Sequence, residues 1–172
     1  CVQIIACRQP AANDLRMVMT VIKTITDMER IGDEAKKIAR MGKLLSHQEH
    51  FRSPRYTEIR HAANLVLDML HQSLDSFARL DISGVTHVIR QDELVDKEFR
   101  TILRYLITLM MEDPRTISSA LEMLFIAKSV ERMGDHAQNM AEYMVYMIKG
   151  RSARHISVEE IERELQQAGL QG

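Results

Sequence analysis

Two pairs of carboxylates break the apolar pattern around them. Asp92 and Asp96 stand in the row Val85, Ile89, Asp92, Asp96, Phe99, Leu103, Leu106, Met110, whose spacings of three and four residues trace one face of a helix. Glu131 and Asp135 continue a second row, Ile117, Leu121, Leu124, Lys128. Residues at i,i+4 stack on one side of a helix, so each pair sets two acids where a bundle would carry leucines. Glu29 and Asp33 repeat the arrangement after Leu15, Val18, Ile22 and Ile25. Like charges beside an apolar seam repel and raise one another's pKa unless cations intervene. A carboxylate-bound divalent or trivalent metal ion (iron, manganese, magnesium or zinc) resolves that conflict, since hard cations favour oxygen donors. Ion pairing with Lys97, Arg100, Lys128 or Arg132, or simple exposure to solvent, is the competing reading.

Helices must position these groups, because helical periodicity dominates the chain. Residues 1–8 read as the tail of a helix stopped before Pro10. A long helix is expected from about Asn13, as N-cap, to Leu45, and another from Thr57 to Leu80 through Ile59, Ala63, Val66, Leu70, Ser73 and Phe77. Asp81 to Gly84 form a turn, and a further helix runs to about Met111. Asp113-Pro114 breaks it, and the last long helix reaches Lys149, with Ala120, Met123, Ala127, Val130, Gly134, Ala137, Ala141, Met144 and Ile148 as its packing seam. A tight turn near Asp113 makes its two flanking helices antiparallel neighbours. Counted from that turn, Asp92 and Asp96 lie as far before it as Asp135 and Glu131 lie after it, to within one position. The four acids are therefore expected at one height. The same counting across the turn at Asp81 brings in Asp68, with His71 nearby, but both are off the apolar seam and read as surface residues.

The block Glu29-Arg30-Ile31-Gly32-Asp33-Glu34-Ala35 recurs as Glu131-Arg132-Met133-Gly134-Asp135-His136-Ala137. Each copy sits midway along a long helix that follows a proline. The chain thus reads as two related helical units: 1–46 as the remnant of a first three-helix bundle, 47–55 as a linker, 56–150 as a complete second bundle, and 151–172 as a tail with a short amphipathic piece at 158–165.

Composition narrows the function classes. The chain has 172 residues, 45% hydrophobic and 27% charged, which suits a folded protein rather than a disordered one. The formal net charge of −1 gives no field that would draw it to nucleic acid or anionic lipid. Cys1 and Cys7 are too far apart along a helix to bridge and read as reduced thiols. No apolar run is long enough for a membrane span, and no signal peptide is visible. The chain opens at Cys1 within an apolar pattern and reads as a fragment lacking its beginning.

On Arg8-Gln9-Pro10-Ala11-Ala12-Asn13-Asp14-Leu15-Arg16, Glu29 to Asp33, Asp92-Glu93-Leu94-Val95-Asp96, Met111-Glu112-Asp113-Pro114-Arg115-Thr116 and Glu131 to Asn139, the sequence resembles the PhoU family of accessory regulators of bacterial phosphate transport. The resemblance covers nearly the whole chain. It implies an all-α fold of tandem antiparallel three-helix bundles, here with the first incomplete, and metal clusters at Glu/Asp-x-x-x-Asp motifs. It further implies a cytoplasmic regulator, peripheral to the inner membrane through its partners, that restrains the phosphate-starvation response. Those partners would be the ATPase subunit of the phosphate ABC transporter and a phosphate-sensing histidine kinase. The helix that would face Glu29 and Asp33 is absent, which puts a complete first site in doubt.

A carboxylate-bridged di-iron oxidase is the enzymatic alternative. It needs Glu-x-x-His on two helices, and Glu58-x-x-His61 occurs once, with Asp68-x-x-His71 on the same helix. His136 could supplement a metal site but points about 100° away from its neighbour Asp135. His47, His50 and His155 fall in linker or tail. No phosphate-binding loop, nucleophile motif or basic aromatic platform is present, and the chain is expected not to be an enzyme. A metal-free helical scaffold is the third reading. The 13–45 helix carries two apolar rows, Leu15, Val18, Ile22, Ile25 and Met28, Ile31, Ala35, Ile38, Leu45, with little left to cover them. Leaving them wet is unfavourable, which predicts a twofold homodimer through this face.

Overall fold

The computed structural model describes residues 1–8, 11–46 and 56–150, with Glu160 and Arg163. Five α-helices follow in order: α1 (Val2–Arg8), α2 (Ala12–Ser46), α3 (Tyr56–Arg79), α4 (Val85–Glu112) and α5 (Ile117–Lys149), with a short 3₁₀ turn at Pro114–Thr116. There is no strand among the described residues, and the fold is all-α as expected. The expected linker at 47–55 and the amphipathic piece at 158–165, Glu160 and Arg163 apart, lie outside the described residues.

Local chemistry sets the boundaries. Asn13 is not the N-cap of α2: the helix begins one residue earlier, and the Asn13 side-chain amide oxygen accepts from the Arg16 guanidinium within the first turn. After α3, Leu80 adopts a left-handed φ of 54°. The Asp81 carboxylate then accepts from the Ser83 amide (2.9 Å) and hydroxyl (2.7 Å), closing the turn into α4. At the other end of α4, Asp113 is extended, as the residue before a proline prefers to be. Its carboxylate accepts from the Arg115 amide at 3.0 Å. Gly150 ends α5 with φ 71°, a left-handed cap that glycine adopts without strain.

α5 is the axis of the molecule: α3, α4 and α2 all pack on it, and α2 meets chiefly α5. Its expected seam is buried from Ala120 through Met144, and only Ile148 of that row is exposed. One core cluster joins Val66 and Met69 of α3, Val85, Val88 and Val95 of α4, and Val130, Ala137, Ala141 and Met144 of α5. A second joins Leu45, Ile59, Ile102, Leu106, Ala120, Met123 and Ala127. Each large side chain buried there contributes roughly 1.5–3 kcal/mol. Inside the first cluster, the Ser73 hydroxyl bridges the Met69 and Ala137 carbonyls at 2.8 Å each, tying α3 to α5.

Two expected seams are shifted. In α4 the buried row is Val85, Val88, Gln91, Val95, Ile102 and Leu106, so Asp92 and Asp96 border the seam rather than occupy it. In α2 the buried row is Val18, Thr20, Thr24, Asp27, Ile31, Glu34 and Leu45, whereas Leu15, Ile25 and Met28 are exposed. The reason lies in α5, which turns Ser129 and His136 toward α2, so the contact is made by matched polar groups. Its geometry follows the internal repeat. Positions 27 and 34 of the first copy correspond to 129 and 136 of the second. Asp27 pairs with His136 and Glu34 with Ser129, so the two copies cross antiparallel about a local pseudo-twofold axis.

Candidate metal centre

The antiparallel pairing of α4 with α5 brings Asp92, Asp96, Glu131 and Asp135 to one level. Gly134 is what lets the two helices close there. A Cβ added at Gly134 would stand 3.3 Å from Asp92 Oδ1 and 3.4 Å from Val66 Cγ2, so the half-buried Asp92 carboxylate lies against the α5 backbone itself. Burial raises the Asp92 pKa to about 7, and the charges of Asp135, Asp96, Glu131 and then Glu142 push in the same direction. Asp135, although exposed as a residue, is raised by partial burial of its carboxyl and by Glu131, with Lys128 working against. Glu142 was not legible as a contributor because it lies two turns beyond Asp135, outside the repeated block.

Two of the four acids have cationic partners. Arg100 donates to Asp96 at 3.1 Å, and Lys128 lies 2.5 Å from Glu131 Oε2 while also capping the Phe99 ring at 5.2 Å. Among the described residues no three acidic, histidine or cysteine side chains stand close enough together to enclose a cation. The acids converge without closing into a ligand shell. The groups that act on one another here are carboxylates, the donor type that hard cations favour.

Glu29 and Asp33 are not brought to this group. Glu29 is exposed, and Lys36 donates to Asp33 at 2.9 Å, holding that carboxyl below its ordinary value. The equivalent glycine, Gly32, has nothing among the described residues within 4 Å of an added Cβ. The two glycines therefore respond differently to one substitution. Gly32→Ala should stabilise the chain by about 0.5–1 kcal/mol through helix propensity alone, whereas at Gly134→Ala the Asp92 and Val66 atoms must give way and cancel most of that gain. Urea denaturation of the two variants reads the difference; equal gains would show that Asp92 does not rest on α5.

Asp68, His61 and His71 are exposed, so the residues of the di-iron alternative do not gather in the core. His136 does not join the acids either, but turns to Asp27, which accepts from its Nδ1 at 2.7 Å with both side chains buried. Asp27 and Glu34 were missed by apolar periodicity. A signal was available in the repeat, where Glu34 and His136 hold the same place. Burial alone would raise the Glu34 carboxyl, but hydrogen bonds from Lys37 and Ser129, with Arg132 alongside, hold it below its ordinary value.

Fold and site together define a helical-bundle protein with a duplicated acidic helix and a half-buried carboxylate cluster between antiparallel helices. A model of the PhoU domain matches residues 1–41 and 59–144, and the chain belongs to the PhoU family. It is 46% identical over 167 residues to a phosphate-specific transport system accessory protein PhoU homolog of Pseudomonas aeruginosa, covering 96% of this chain and 68% of the relative. The accessory protein PhoU of Escherichia coli is 46% identical over 165 residues, again covering 96% of this chain and 68% of the relative. The crystal structure of PhoU from Pseudomonas aeruginosa superposes with a TM-score of 0.83 at 47% identity, over 88% of this chain and 72% of that one. No described helix is long and apolar enough to cross a membrane.

Proposed function

We propose that this chain is a non-enzymatic regulator of phosphate uptake, acting as an accessory to a phosphate-specific transport system, as the names of its relatives describe them. In this reading Asp92, Asp96, Glu131 and Asp135 hold a divalent or trivalent cation between α4 and α5, and Glu29 and Asp33 form the equivalent half-site on α2. A bound cation would neutralise the acids and fix the spacing of the two helices. The regulator would work from the cytoplasmic side, restraining the transporter through its ATPase subunit and signalling to a phosphate-sensing histidine kinase. A twofold dimer through the exposed face of α2 completes the proposal. The single observation that carries the metal site is Asp92, half-buried against Gly134 and raised to about 7 by burial and four neighbouring acids.

The test is metal analysis of protein equilibrated with manganese or iron. Glu131→Ala with Asp135→Ala should lose most of the bound metal while keeping the helical circular dichroism of the parent. Wild-type protein that retains no metal after gel filtration would remove the site. Retained metal in the double variant would move it elsewhere. In cells, the same variant should derepress a phosphate-starvation reporter at high phosphate; an unchanged reporter would detach the site from regulation.

A further inference from the structure

A pocket opens on the other flank of α5, between α5 and α2. It is a cavity of about 360 Å³, within the range of small-molecule sites. Its apolar wall is Met41 and Phe125, and Phe125 is 57% exposed among the described residues. Around that wall stand three cations, Lys37, Lys128 and Arg132, against one carboxylate, Glu34. The lining is therefore positive in a chain whose net charge is −1. Glu34 is buried and already served: Lys37 donates at 2.8 Å, Arg132 lies at 3.3 Å, and Ser129 adds a hydrogen bond. All three cations remain about half exposed, with donors left to spend.

We propose that this pocket binds a small organic anion, its acid group held by Lys37, Arg132 and Lys128 and its apolar body laid against Phe125 and Met41. Lys128 is the shared element. It lines the pocket yet donates to Glu131 at 2.6 Å, on the acidic side of α5. The anion and the Glu131 carboxylate thus compete for one ammonium group. The site rests on cavity, charge and ring exposure, and stands whether or not the acids across α5 take up metal.

Calorimetric titration of the metal-free chain with phenyl phosphate, benzoate and inorganic phosphate at low salt tests it. Phenyl phosphate or benzoate should bind saturably at one per chain, and the tighter of the two names the acid group. Inorganic phosphate, lacking the ring, should bind at least several-fold more weakly. Phe125→Ala should abolish that preference for a ring, and Lys37→Gln should weaken the aryl anion about tenfold. Glu131→Gln, which frees Lys128, should tighten it several-fold, and that gain should vanish when Lys128→Gln is added. No saturable binding of either aryl anion would overturn the proposal, as would affinities indifferent to Phe125→Ala and Lys37→Gln. An equal gain from Glu131→Gln with and without Lys128 would overturn the competition.

Discussion

His136→Ala should destabilise the chain by about 3 kcal/mol. Asp27 and His136 are 4% and 7% exposed, and the hydrogen bond between them crosses the interface of α2 with α5. Removing the imidazole leaves a carboxyl buried without its partner. The cost of orphaning a buried group runs from about 1–3 kcal/mol for a hydrogen bond to about 3–5 for an ion pair. It far exceeds the worth of the pair itself. Replacing both residues by leucine should therefore recover most of the loss, since no polar group is then stranded. Lys36→Ala is the control: its pair with Asp33 lies in open solvent, and the unfolding curve should not move. Chemical denaturation gives all three. A His136→Ala curve superposing on the parent would mean that α2 is held to α5 by its apolar contacts alone.

Asp92→Asn should stabilise the metal-free chain at pH 8 by about 2 kcal/mol and leave it unchanged near pH 3. The direction follows from proton counting. The carboxyl ionises near its ordinary 3.8 in the unfolded chain but at about 7 in the fold. Between those values the folded state holds a proton that the unfolded state has released, so stability falls as pH rises through the interval and levels off above it. The shift alone would give about 4 kcal/mol, and solvent reaching this half-exposed group reduces that to about half. Asparagine keeps the shape and removes the charge. A manganese titration at pH 8 separates the two roles of the site: wild type should gain thermal stability with metal and Asp92→Asn should gain little. An Asp92→Asn variant as pH-sensitive as wild type between pH 4 and 7 would assign the slope to other groups.

The acidic pairs were legible because helical spacing converts sequence position into facing. A count of residues from the turn at Asp113 then converts it into height, which is why Asp92, Asp96, Glu131 and Asp135 could be set at one level. The repeated block showed that each copy carries a glycine, but not what that glycine meets. Nothing local distinguishes Gly134, which meets Asp92, from Gly32, which meets open space. The first copy's Glu29 and Asp33 looked equivalent to the second's for the same reason.

The all-α fold, four of the five helices to within a residue or two, the seam of α5 and the pairing of the acids could be read from the residues alone. These are properties of one helix or of two helices joined by a short turn, where spacing and connection length leave little freedom. Which side of α2 faces inward depends on how it packs against α5. Of the apolar rows, Val18, Ile31 and Leu45 are buried, but Leu15, Ile25 and Met28 are exposed and Thr20, Thr24, Asp27 and Glu34 are buried instead. A polar row costs free energy unless matching groups meet it, so its burial depends on what α5 presents from far along the chain: Ser129, Arg132 and His136, set opposite by a local twofold relation between the two repeats.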